Sequence, residues 1–475
     1  MIRCAGRLGA RVALALFLLS GCSLPLAVPP LALPTTPAEP LPVPPPSPTA
    51  VPSPTAAPTP APTPTFEQLL PTPTLAPITA DARQAIFEQA WNLVHRRYLY
   101  PDYHGVDWPA VRDEFAPQIG TAENADQFYQ LMHAMIDRLG DDHTHFESPQ
   151  EVAEEEARSA GELTYGGIGV TIRDDTAGAL VTRLAAGSPA ERAGIQLRDL
   201  IIAIGGVPIS DTAAFGEQGP EGAVRGTPGT VVRLLVGSPG ATPRELSLTR
   251  EVIPADAFPP AEGRRIRGTR VGLLLIDTFD REDLVTLVRD QLDDLLAPGP
   301  LTGLIIDVRD NGGGYIDVML DILALFVDGG SIGSSSSRRG REDLEIPGGQ
   351  VVPGLADLPI VVLTSDGTAS AAEMFAAGMR VRQRATMVGT TTAGNTENLV
   401  LHNFSDGSRL WLAEYAYRLP NGELIEGVGV APDRLVAAKW WRFDPADDPQ
   451  VQAALAALAV QAPASRSAKG RRHGG

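Results

Sequence analysis

The sequence predicts a multidomain α/β protein: a helical region over residues 79–160, a small β-rich domain over 163–252 and an α/β core over 266–458. Three observations predict it. Apolar residues recur at helical spacing early in the chain, short glycine-bounded β runs fill the middle, and nearly continuous apolar strands alternate with helical stretches in the last part. A chain of 475 residues has room for two or three domains and a sizeable core.

The helical region rests on Ile86, Ala90, Leu93, Val94 and Tyr98, and then on Phe128, Leu131, Met132, Met135 and Leu139. Between them Tyr100-Pro101 and Trp108-Pro109 break the chain. The middle domain reads as strands at Gly167-Ile168-Gly169-Val170, Ala179–Leu184, Asp199–Ile204, Val231–Val236 and Arg244–Arg250, with a short capped helix at Ser188–Gly194. This order of elements resembles a PDZ domain. The resemblance makes Gly167, Ile168, Gly169 and Val170 the loop that takes a peptide's C-terminal carboxylate, since successive amides on a glycine-rich turn form an anion nest. The core reads as buried strands at Val271–Ile276, Gly303–Val308, Val361–Thr364 and Met387–Gly389, separated by helices near 281–296, 315–327 and 371–382.

Ahead of the folded part, Arg3, Arg7 and Arg11 precede the apolar run Val12–Leu19, followed by Leu19-Ser20-Gly21-Cys22. A basic start, a short apolar run and small residues make a secretory signal over 1–22, and the run is too short to span a bilayer. Its end resembles a bacterial lipobox, which makes Cys22 the lipidated first residue of the mature chain. Residues 23–78 are rich in Pro, Thr and Ala and should form an extended, semi-rigid spacer. The expectation is an exported lipoprotein, held at the membrane by its lipid alone and facing the periplasm or cell exterior. The only cysteines are Cys4 and Cys22, so a mature chain starting at Cys22 has no internal disulfide. A net charge of −18 argues against a nucleic-acid partner. Residues 459–475 read as a frayed basic tail.

Ser370 lies in Gly367-Thr-Ala-Ser370-Ala371-Ala-Glu373, between a strand run and a helix run. Ser-x-x-Glu before an apolar run is a capping box. The same place suits a nucleophile, because the first amides of a helix are unpaired and can stabilise an oxyanion. A nucleophile can occupy a cap position, so both readings stand.

Three segments together resemble peptidase family S41, the C-terminal processing proteases: Asp307-Val-Arg309-Asp-Asn311-Gly-Gly313-Gly314, the Ser370 segment, and Glu426-Gly-Val-Gly429-Val-Ala-Pro432-Asp433. The resemblance implies a core of the ClpP/crotonase-like kind and makes Ser370 the nucleophile. It places one oxyanion amide at Gly313, with Gly314 as the alternative, and the other at Ala371. The chain departs from the best-known branch, where a lysine follows the serine by about two dozen residues; Asn395 stands at the matching place. Only Lys439 and Lys469 exist, and neither is well placed to serve. Arginine cannot act as a base. Histidine is the usual substitute. His143, in Leu139-Gly-Asp141-Asp142-His143-Thr-His145, lies where the histidine-using, tricorn-like branch has one, with His145 as a fallback. The same branch suggests Glu426 as the group that orients the ring, with Asp142 as its rival.

These readings combine into an exported serine endopeptidase of the serine–histidine kind. It takes protein or peptide substrates with free C-termini and works through an acyl-enzyme. No metal or cofactor is expected, because no His, Glu or Cys spacing resembles a ligand set. The competing expectation is a catalytically inactive peptide-binding protein on the same scaffold.

Overall fold

The computed structural model describes residues 78–461 apart from 142, 161, 163, 176 and 216–218. The signal segment with Cys22, the spacer up to residue 77, Asp142 and the tail from 462 lie outside the described residues.

Three helices, Ala80–Arg97, Trp108–Thr121 and Ala125–Ile136, open the described chain. Thr79, Asp107 and Asn124 cap their N-termini with side-chain oxygens. The proline after Trp108 sits in the first turn, where its missing N–H costs nothing. The helices bury Phe87, Trp108, Phe128 and Met132 together with Leu410 and Leu412 from a sheet further along the chain and Phe404 from the turn beside it. That sheet contains Arg409–Arg418, and the strand His145–Glu147 pairs with it antiparallel, His145 opposite Trp411. Glu397–Asn403 also pairs with Arg409–Arg418. The early helical region is thus joined by main-chain hydrogen bonds to a late part of the chain.

The middle domain is an antiparallel sheet in the order Val170–Asp175, Gly178–Leu184, Leu200–Ile204, Val231–Gly237, Arg244–Thr249. Its own core holds Ile168, Val181, Ile201, Leu234 and Val236. The strand expected to begin at Gly167 is split: Tyr165–Gly167 pairs with Glu251–Ile253, and the sheet strand starts at Val170. Gly169, at φ +78, makes the corner between them.

The core sheet runs Ala261–Arg265, Val271–Ile276, Gly303–Asp307, Ile360–Thr364, Ala385–Gly389, Arg434–Leu435, parallel throughout except for the first pair. Every residue of Gly303–Asp307 and Ile360–Thr364 is buried, which explains their unbroken apolar runs. Helices Leu284–Leu296, Ile316–Ala324 and Ala371–Val381 contribute to the core cluster on one face, and Pro449–Gln461 to that on the other. Among the described residues no helix is long and apolar enough to cross a membrane.

Arg309 ties the end of the strand Gly303–Asp307 to the C-terminal helix. It is 4% exposed, and its guanidinium donates to both Asp307 oxygens (2.8 and 2.5 Å), to Asp448 Oδ2 (2.7 Å) and to Gln450 Oε1 (2.9 Å). Truncating one side of a buried ion network strands the other charges. Arg309→Met is expected to lower stability by about 3–5 kcal/mol, measured as a fall in the urea midpoint with an unchanged slope.

Candidate active site

Ser370 sits where the strand Ile360–Thr364 turns into the helix Ala371–Val381. A cap residue usually has extended backbone; Ser370 has φ 52 and ψ −124, a strained conformation for a residue with a side chain. Its N–H donates to Asn395 O (2.7 Å) and, at 3.2 Å, to Glu373 Oε2. Glu373 therefore does close the capping box on its side. The Glu373 N–H, however, goes to the Ser370 carbonyl at 2.9 Å, and Ser370 itself lines a cavity of about 540 Å³.

Glu373 does more than cap. It is fully buried, and its carboxylate also accepts from Thr392 Oγ1, from Gly394 N (2.7 Å) and from Asn395 N (2.7 Å). Burial pushes its carboxyl above the ordinary range, even against these donors, which favour the ionised form.

The glycine turn packs directly on the serine. A Cβ on Gly313, at φ +108, would stand 2.7 Å from Ser370 Cβ, so only glycine fits. The Gly313 amide donates to Asn311 Oδ1 at 2.9 Å. The amides of Gly314 and Ala371 make no hydrogen bond among the described residues. Of the two glycine amides singled out from the sequence, the one free in this structure is that of Gly314.

His143 reaches this region because the strand that follows it, His145–Glu147, is paired into the sheet. Its Nε2 hydrogen-bonds Asn395 Oδ1, and its Nδ1 lies 3.5 Å from Glu397 Oε2. The carboxylate beside the ring is that of Glu397, where the sequence reading put Glu426. Glu426 is turned instead to Thr396, accepting from its N–H (2.5 Å) and its hydroxyl (3.1 Å). Tyr100 donates to the other Glu397 oxygen. Burial raises the Glu397 carboxyl above the usual range, with Tyr100 and His143 pulling the other way. Asp141 accepts from His143 N (2.8 Å), Thr144 N (2.5 Å) and Tyr98 OH (2.5 Å). Burial acts to raise its carboxyl, but these donors outweigh it and the net shift is downward. Ligand atoms of Asp141, His143 and Glu397 lie within 4.8 Å of one another, a set able to hold a divalent cation. His145 donates Nδ1–H to the His143 carbonyl (2.8 Å) and lines the same cavity as Ser370.

In the middle domain Ile168 is buried, and its carbonyl accepts from Ala190 N (3.0 Å). The amides of Ile168 and Gly169 donate to no described group, and Val170 begins a strand at the sheet edge. Arg173 on that strand pairs with Asp310 and lies 3.9 Å over the Trp441 ring, which fastens the domain to the core.

Among known proteins, the profile of peptidase family S41 matches residues 270–436, that of the Tricorn protease C1 domain matches 79–137, and that of a PDZ domain matches 180–236. The chain is 30% identical over 389 residues to a carboxyl-terminal-processing protease of Synechocystis, covering 81% of this chain and 88% of that one. It is 29% identical over 307 residues to the carboxy-terminal processing protease CtpA of Bacillus subtilis, covering 63% and 61%. The solved photosystem II D1 C-terminal processing protease superposes with a TM-score of 0.53 at 25% identity, over 79% of this chain and 97% of that one.

Glu373→Ala leaves four donors without their shared acceptor and is expected to cost about 3 kcal/mol or more in chemical unfolding. The folded-state pKa of Glu373 lies above the ordinary glutamate value. The stability linked to that upward shift is therefore present in acid and declines as pH rises through the folded value, and the variant should lack that decline.

Proposed function

Because the chain belongs to peptidase family S41, a family of serine peptidases, we propose that it is an exported serine endopeptidase using Ser370 and His143. The observation that carries this reading is the position of Asn395. Its carbonyl holds the Ser370 N–H at 2.7 Å, while its side chain holds the His143 ring, so serine and imidazole flank a single residue. Lysine is absent from that position.

In the proposed reaction Ser370 Oγ attacks the peptide carbonyl, and His143 takes its proton and returns it to the leaving amine. The His143–Asn395 hydrogen bond has to open for the ring to turn to the serine. Glu397 holds Nδ1 and stabilises the imidazolium, the role the sequence reading gave to Glu426. The oxyanion is held by the Ala371 amide and an amide of the Gly313–Gly314 turn; Gly314's is already free, and Gly313's requires Asn311 to let go. Water then releases the acyl-enzyme. The PDZ domain receives the substrate's free C-terminus on the Ile168 and Gly169 amides, with the Val170 strand edge extending the peptide. Cys22 carries the lipid that anchors the chain outside the cytoplasm.

One observation favours the rival reading of an inactive peptide-binding protein: the His143 Nε2 is spent on Asn395 rather than on the serine hydroxyl. A fluorophosphonate probe separates the two. The enzyme reading expects labelling of the folded protein that disappears in Ser370→Ala and falls at least 100-fold in rate in His143→Ala. No labelling of folded wild-type protein supports the binder. In the same assay Glu397→Gln should lose more activity than Glu426→Gln. Since burial raises the Glu397 carboxyl, its protonation should weaken the wild-type enzyme in acid at a higher pH than an ordinary glutamate would, and the Gln variant should lack that contribution.

The anchoring proposal has its own check. Cys22→Ala should move the protein from the membrane to the soluble fraction and abolish incorporation of labelled fatty acid. Unchanged partitioning and labelling would rule out Cys22 as the lipid site.

A further inference from the structure

The cavity beside Ser370 is lined by five carboxylates, those of Glu147, Glu155, Asp280, Asp317 and Glu397. Among the described residues no lysine or arginine lines it. Positive groups beside it include His145, 3.5 Å from Glu147 Oε1, Arg158, which pairs with Glu155, and Arg409, opposite Glu147 in the sheet register and paired with Glu156. Glu397 belongs to the His143 arrangement; the other four have no part in the proposed proton transfers.

These carboxylates are graded in depth. Asp317 is exposed, Glu155 and Asp280 are half-buried, and Glu147 is 8% exposed. The Glu147 Oε2 atom is buried without a hydrogen-bond partner. Asp280 closes the serine side: its backbone N lies against Gly314, where a Cβ would collide, and Ser159 Oγ fixes its carboxylate at 3.1 Å. Burial, and then the neighbouring Asp280 charge, hold the Glu155 carboxyl above its ordinary range, and burial does the same to Asp280. The two carboxyls hydrogen-bond each other on the cavity wall, so they present a single acidic site to it, only partly offset by Arg158. Trp411 and Tyr315 line the same cavity, aromatic surface suited to the methylene stem of a long cationic side chain.

We infer that this cavity is a specificity pocket for a basic substrate residue, lysine or arginine, adjacent to the scissile bond, with Asp280 and Glu155 receiving the cation. The inference rests on the peptidase reading above and supplies its substrate class.

The test uses the purified full chain and a set of peptides identical except next to the cleaved bond: Lys, Arg, norleucine, citrulline and Glu. Lys and Arg peptides should exceed their neutral counterparts by about tenfold or more in kcat/KM, and the Glu peptide should be poorest. In Asp280→Asn and Glu155→Gln the Lys-to-norleucine ratio should collapse toward one. For variants that fail to fold, the unmodified enzyme suffices: a lysine peptide aldehyde should block fluorophosphonate labelling at a concentration at least tenfold lower than its norleucine twin. Labelled, active enzyme that cleaves neutral and basic peptides equally overturns the inference and leaves the peptidase reading intact. Absence of both labelling and cleavage overturns the two together.

Discussion

The buried carboxylate of Glu373 is the interaction on which the rest of the site depends. One side chain accepts from the Ser370 N–H, from two successive amides at Gly394 and Asn395, and from Thr392. It clasps the start of a helix to a loop that follows a different strand. That loop carries Asn395, which touches His143, then Thr396, which holds Glu426, and then Glu397, which faces the imidazole. The clasp works with two direct main-chain bonds, Ser370 N–H to Asn395 O (2.7 Å) and Ala393 N–H to Thr368 O (2.9 Å), to hold the serine turn and the acidic side of the site in one frame. A carboxylate is suited to this role because it offers about four acceptor positions and no donor, and all the groups around it are donors. The strained Ser370 backbone needs such over-determined surroundings to persist.

A second constraint works at longer range. The ring of His143 comes from a segment more than 200 residues before Ser370 in the chain, and three residues of strand, His145–Glu147, deliver it. Three-residue strands are weak on their own. This one is secured because Phe146 is buried between the helical layer and Phe404. The hydrophobic core of the early helices therefore does more than stabilise the fold, since it sets where the imidazole stands relative to Asn395 and Glu397.

Much of this was legible in the sequence, and the failures have definite causes. The core strands announced themselves because both faces are covered, so Gly303–Asp307 and Ile360–Thr364 read as unbroken apolar runs. The helix after Ser370 was marked by its capping box. The strand Gly330–Ser337 was missed, because Gly-Ser-Ile-Gly-Ser-Ser-Ser-Ser carries almost no β signal; its place is set by pairing with Gly340–Ile346 and Arg409–Arg418. Glu397 escaped notice for another reason. Nothing local distinguishes Thr396-Glu397-Asn398 from a polar edge, and its approach to His143 is a matter of sheet assembly. The backbone of Ser370 could not be read either, since Ser-x-x-Glu predicts an extended cap and the left-handed turn arises only from contact with Gly313 and Asn395.

The acidic character of the site bears on why an imidazole, rather than an amine, suits the proposed base. Asp141, Glu397 and Glu426 all lie close enough to shift neighbouring groups. Burial raises the Tyr100 pKa and all three carboxylates add to the rise; burial raises Glu397 as well, and the charges of Asp141 and Glu426 push it further. An amine set among such charges would be held in its ammonium form, because nearby anions favour the cation and the amine starts from an ordinary pKa of about 10.4. It would have no lone pair to offer a serine. Imidazole has an ordinary pKa of about 6.5, which makes it the usual side chain for exchanging a proton near neutrality. Replacing lysine by Asn395 removes a group that this environment would disable, and the amide that remains carries no charge to compete with the ring.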